Sequence, residues 1–75
     1  MSKTFSGKYI VKILLKYFEC IEISQKGSHL KIHSNSSNKN TIVPMHTEVA
    51  TGTLKGLLKM IDIEYEDFLR HAKRK

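Results

Sequence analysis

Between residues 20 and 43 the apolar side chains recur at about every second position, and on either side of that stretch they recur at every third or fourth. This change of period, from about 3.6 to 2 and back, admits few folds. It calls for a small sheet whose covering helices come from both ends of the chain. Ser6 suits the cap of a first helix, opened by Gly7 and Lys8 and running to about Tyr17. Ile10, Ile13, Leu14 and Tyr17 give that helix a buried face, and Lys8, Lys12 and Lys16 form a basic stripe on another side.

Cys20 to Gln25 alternates with Ile21 and Ile23 on one side, which predicts a strand. Lys26-Gly27 turns the chain, because glycine tolerates the positive φ of a tight turn. From His29 to His33, Leu30 and Ile32 point one way while His29, Lys31 and His33 point the other. Ser34 to Asn40 reads as a polar connecting loop with no apolar anchor. Thr41-Ile42-Val43 makes a third short strand, stopped by Pro44. Leu54, Leu57, Leu58 and Ile61 mark a second amphipathic helix, capped at Thr51 or Gly52 and ended at Asp62, with Lys55 and Lys59 on its outer side. Tyr65, Phe68 and Leu69 add a helical turn or two, and the basic stretch 70–75 frays at its end.

The expected fold is therefore α+β: an α-β-β-β-α order with a three-stranded antiparallel sheet, one face apolar and covered by helices, the other wet. Residues 1–75 are read as a single domain with its core at about 6–69.

Charge narrows the function. Thirteen Lys and Arg stand against seven Asp and Glu, a net charge of +6 in 75 residues, and the lysines cluster on faces. That is the footprint of a polyanion partner. Cys20 is the sole cysteine, so no internal disulfide forms, in keeping with a reducing, cytoplasmic setting. The longest apolar runs are three residues, such as Ile13-Leu14-Leu15, which excludes a membrane helix or a signal-peptide core. Glycine-rich phosphate loops and the Gly-x-Ser-x-Gly elbow are missing. The four histidines and one cysteine lack the close paired spacings of metal sites, so no metal or cofactor is expected.

RNA can be cut without a metal. A base removes the 2′-hydroxyl proton, that oxygen attacks the adjacent phosphorus, and an acid protonates the leaving 5′ oxygen. Histidine serves either role near neutral pH, and lysines stabilise the charge that builds on the phosphorane. His29 stands beside the turn, with Lys26 across it and Lys31 two residues on, so its surroundings suit phosphate chemistry. Pattern alone leaves His29 open between a catalytic group and a surface or hydrogen-bonded residue. Cys20, inside a strand pattern, reads as a small buried residue.

The order of Gln25-Lys26-Gly27-Ser28-His29, Thr41-Ile42-Val43-Pro44-Met45-His46 and Gly52-Thr53-Leu54 resembles the HicA family, the toxin half of a bacterial and archaeal toxin–antitoxin pair. The resemblance runs from about Ser6 to Leu69. It implies a double-stranded-RNA-binding-domain-like fold and a metal-independent endoribonuclease that cleaves mRNA. The histidine of the family's Gly-Ser-His motif is the catalytic one and falls on His29. Lys26, Ser28, Lys31, His46, Lys55 and Lys59 are the implied RNA contacts, with the Lys8-Lys12-Lys16 stripe in support. His46 either orients substrate or closes a loop. The partner implied is a HicB-type antitoxin that covers the toxin, which is otherwise monomeric. Three positions depart from the family pattern: Leu30, where many members carry a second His or a long polar residue, Glu22 in place of an apolar residue, and Glu64 in place of a Ser or Thr cap.

Two other classes compete. A non-catalytic RNA-binding module of the same fold would share the element order and the helix lysines. A DNA-binding regulator fits less well, since no helix-turn-helix pair is visible.

Overall fold

The computed structural model describes residues 4–72. The chain forms helix α1 (Gly7–Tyr17), strands β1 (Cys20–Lys26), β2 (His29–Ser34) and β3 (Lys39–Pro44), then helices α2 (Thr51–Lys59) and α3 (Tyr65–Ala72). The strands make an antiparallel meander in the order β1-β2-β3. The helices gather on one side of it around a single core in which Ile10, Leu14, Ile32, Val43, Leu54, Leu58, Ile61 and Phe68 are almost wholly buried. This is the α+β fold expected, with a second short helix at the end. The basic stretch from Lys73 onward lies outside the described residues.

Local chemistry explains most boundaries. Ser6 caps α1, its hydroxyl accepting the Tyr9 N–H at 3.0 Å. Gly27, at φ 59°, makes the β1–β2 turn, and the Gln25 side-chain amide donates to the Gly27 carbonyl at 3.1 Å. Asp62 takes φ 60° and ends α2 as expected. The last four carbonyls of α2 are all satisfied. Gly56, Leu58 and Lys59 accept from Met60, Ile61 and Asp62, and the Leu57 carbonyl accepts the buried Thr41 hydroxyl at 2.9 Å. That bond pins α2 to β3. Thr41→Val keeps the side-chain shape but orphans a buried carbonyl. It is expected to cost about 1–2 kcal/mol, read as a lower denaturant midpoint at unchanged slope. An unchanged midpoint would show that the Leu57 carbonyl finds another donor.

Four local expectations give way. Ile21 and Ile23 do not reach the core; they are 49% and 48% exposed. The central strand decides this. Leu30, Ile32 and Ser34 of β2 are buried, and the register sets Cys20 against Ser34 and Ile21 against outward-facing His33. Parity then sends Ile21 out and Cys20 in, and a bulge between Glu22 and Ser24 takes up Ile23. Tyr17 is 44% exposed, because it lies past the covered part of α1 and is met by the His71 ring, stacked at 4.3 Å. The polar loop shrinks to 35–38. Ser34 is fully buried at the end of β2, its hydroxyl accepting the Ser37 N–H, and Lys39 and Asn40 pair in β3. Neither Thr51 nor Gly52 caps α2. Ala50 stands at the cap without a side-chain bond, and the helix start is set by the Val49 N–H donating to the Phe5 carbonyl at 2.8 Å.

Candidate active site

The β1–β2 turn brings Lys26 and His29 opposite one another in the register, and β3 places Pro44 on the other side of His29. Two backbone hydrogen bonds lock this end of the sheet. The Met45 N–H donates to the Ser28 carbonyl at 2.6 Å, and the Gly7 N–H donates to the His46 carbonyl at 2.9 Å. His29 and His46 therefore sit directly after the two residues that share one hydrogen bond, and both are exposed. His46 closes a loop through its backbone while leaving its imidazole free of that task.

The start of α1 meets the same place. Gly7 is buried so closely against Pro44 and Met45 that a Cβ there would lie 2.8 Å from the Met45 Cα. The α1 terminus, with no acidic residue in its first turn, adds its positive end to the nearby lysines. Lys8 and Lys12 stand along an open groove of about 630 Å³ between α1 and β1, floored by Val11, Leu15, Leu30 and Met45 and faced by Glu22 and Gln25. Leu30, the departure after the motif histidine, is a core residue at 4% exposure. Glu22 is on the groove side, across from Ile32, which accounts for a carboxylate where an apolar residue is usual.

Lys31 shares the outward face with His29, two residues along β2. So Lys26, His29 and Lys31 share the outward face, and Ser28 and His46 adjoin the same end of the sheet through the backbone bonds at Met45 and Gly7. Lys55 and Lys59 do neither. They line a separate concavity of about 540 Å³ with Asp62, Glu64 and Glu66, and the Lys55 ammonium lies 4.9 Å from the Tyr65 ring centre. Three carboxylates beside two lysines make that surface less cationic than the α2 sequence suggests.

Two histidines have partners that local pattern does not reveal. His33 Nδ1 lies 2.6 Å from Asn40 Oδ1 across the β2–β3 pair, and His71 stacks on Tyr17 and meets Phe18 edge-on. Gly7 was legible only as a helix opener. The available signal is that glycine is a poor helix residue, so one at a helix start hints at close backbone approach. Burial pushes the Cys20 thiol up, against a smaller downward pull from its hydrogen bond with Ser34. It is a neutral thiol and a poor nucleophile. Among the described residues no three His, Cys, Asp or Glu side chains cluster as a metal site, and no helix is long and apolar enough to cross a membrane.

No curated protein matches the sequence. The model of the HicA toxins of bacterial toxin–antitoxin systems matches residues 7–63, from the glycine that opens α1 to the turn after α2, with α3 beyond it. With more than half of its length inside that match, this chain belongs to the HicA toxin family.

Proposed function

We propose that this toxin is a metal-independent endoribonuclease that cleaves mRNA and is silenced by a HicB-type antitoxin. The observation that carries the reading is the pair of exposed histidines flanking the Met45–Ser28 hydrogen bond, at the end of a sheet face that also holds Lys26 and Lys31. His29 is the acid/base group. It stands on a strand end tied to β1 and β3, so its backbone is fixed relative to a bound phosphate. Lys26 and Lys31 neutralise the phosphorane, and Ser28 and His46 contact the RNA beside it. Lys55 and Lys59 meet the RNA at its periphery, alongside the α1 lysines.

In this mechanism the 2′-oxygen forms a bond to phosphorus as the 5′ oxygen leaves with a proton. The products are a 2′,3′-cyclic phosphate and a free 5′-hydroxyl. Cleavage is therefore expected to persist in excess EDTA and to stop when the 2′-hydroxyl at the scissile position is removed. Cleavage assays with and without EDTA, on all-RNA and 2′-deoxy substrates, check both points, and end-group analysis of the fragments identifies the cyclic phosphate. Loss of activity on chelation, or equal cutting of DNA, would require a different enzyme. RNA binding without any cleavage would leave the non-catalytic module.

A further inference from the structure

The sheet's outward face carries more than the proposed site. Register sets Ile21 beside His33 and Ile42 beside Lys31, both outward, and Ile23 lies in the adjoining bulge. These three isoleucines are 49%, 39% and 48% exposed in turn. Scattered exposed apolar residues are ordinary, but Ile21 and Ile23 stand two residues apart on β1, and Ile42 lies across β2 beyond Lys31 and His33, so this uncovered sheet face interleaves apolar and basic side chains as interaction sites do. The face also holds Lys26, His29, Lys31 and His33, and none of the residues that register places there is a carboxylate.

We propose that this face is the anchor for the antitoxin, a protein with an apolar centre and an acidic rim; the inference rests on the toxin–antitoxin reading above. RNA is the poorer occupant. Sheets that bind single-stranded RNA stack its bases on aromatic rings, and the three strands contain no Phe, Tyr or Trp; the face offers only the imidazoles of His29 and His33, the latter held against Asn40. Branched aliphatic side chains offer no such platform, yet they pack well against apolar protein surface. A second copy of this chain is also disfavoured, because two such faces would set Lys26 and Lys31 against their own counterparts at a net charge of +6 each. An acidic rim answers those lysines, and the isoleucines supply the desolvated centre that stable interfaces need.

At Ile21 docking is set apart from cleavage, whereas Ile42 lies directly opposite Lys31, which the proposed mechanism uses. Ile21 lies opposite His33, four residues along β2 from His29, or about 13 Å at the usual strand rise. A partner seated on the isoleucines reaches over Lys31 to cover His29.

The test is the full chain with Ile21→Thr and Ile42→Thr together, which keeps β-branched residues in the strands and removes the apolar ends. The probe is the purified product of the reading frame adjacent to its own. The double variant is expected to melt like the wild type, and Ile21→Thr alone, opposite His33 and not Lys31, to cleave RNA at the wild-type rate. The double variant should bind the probe at least about tenfold more weakly and escape inhibition at concentrations that silence the wild type. Ile21→Thr alone gives a smaller loss in the same direction and serves if the double variant unfolds. Equal inhibition of variant and wild type would overturn the proposal. So would weakened RNA binding by the variant alone, which gives the face to RNA, or a wild-type dimer that the substitutions dissociate, which gives it to a second copy. A wild-type chain that cleaves RNA yet ignores the probe would sink the toxin–antitoxin pairing itself, a result distinct from all of these.

Discussion

His29→Ala is expected to lower the RNA cleavage rate by about 10²- to 10⁴-fold, the usual worth of a positioned acid/base group, while the protein melts as before. The side chain is exposed at a strand end and makes no hydrogen bond that holds the fold, so truncation opens no cavity. The stability change should stay within about 0.5 kcal/mol. Affinity for a 2′-deoxy analogue of the substrate should change little, because the lysines that hold phosphate remain. That combination separates a proton-transfer role from a binding role. His46→Ala, on the other side of the same backbone hydrogen bond, is expected to weaken substrate binding more than it lowers the maximal rate. Undiminished cleavage by the His29 variant would end the catalytic assignment.

The second large effect falls on a residue with no side chain. Gly7→Ala would drive a methyl group into the Pro44 carbonyl and the Met45 backbone, none of which is a flexible side-chain end that could swing away. Either α1 lifts off the β3 exit, breaking the Gly7–His46 hydrogen bond, or the 44–46 segment shifts and carries His46 with it. The expected cost is about 3 kcal/mol. In a domain of this size that lowers Tm by on the order of 15 °C. Gly56→Ala is the internal control. Its position in α2 has open space around the missing Cβ, so the same change should stabilise by about 0.5–1 kcal/mol through helix propensity. Opposite signs in thermal melts would show that close backbone approach, and not glycine content, governs the effect. An unchanged Tm for the Gly7 variant would mean that the start of α1 is loosely held.

Function depends on both results. His29 needs a rigid strand end, and that rigidity comes from the Met45–Ser28 and Gly7–His46 bonds as much as from the sheet itself. The proposed acid/base site is therefore tied to the core through the first helix, and a stability defect at Gly7 should appear as lost cleavage even where RNA is still bound.

Much of this was legible in the chain. Ser6 as a cap, Gly27 and Asp62 as left-handed turns, Pro44 as a strand stop and the inward Leu30 and Ile32 are each settled by interactions within a few residues. The turn that presents His29 belongs to the same class, since Gly27 beside it needs only its own positive φ. What depended on pairing between distant segments could not. Ile21 points outward because β2, buried at Leu30 and Ile32, sets the parity of its neighbour, and a bulge adds a residue that no local pattern announces. Ala50 begins α2 without a side-chain cap because Phe5, far away in the chain, holds Val49. Lys55 and Lys59 read locally as an uncompensated basic stripe, and only the fold sets Glu64, just before α3, and Glu66 within it beside them. Short-range terms such as capping, turn propensity and hydrophobic period are written in consecutive residues, so the sequence by itself determined the elements, the inward face of β2 and the turn that precedes His29. Backbone register, close approach and the neighbours of a charge arise only when separate segments meet. The tertiary structure alone therefore decided the outward isoleucines, the need for glycine at position 7 and which lysines share a face with His29.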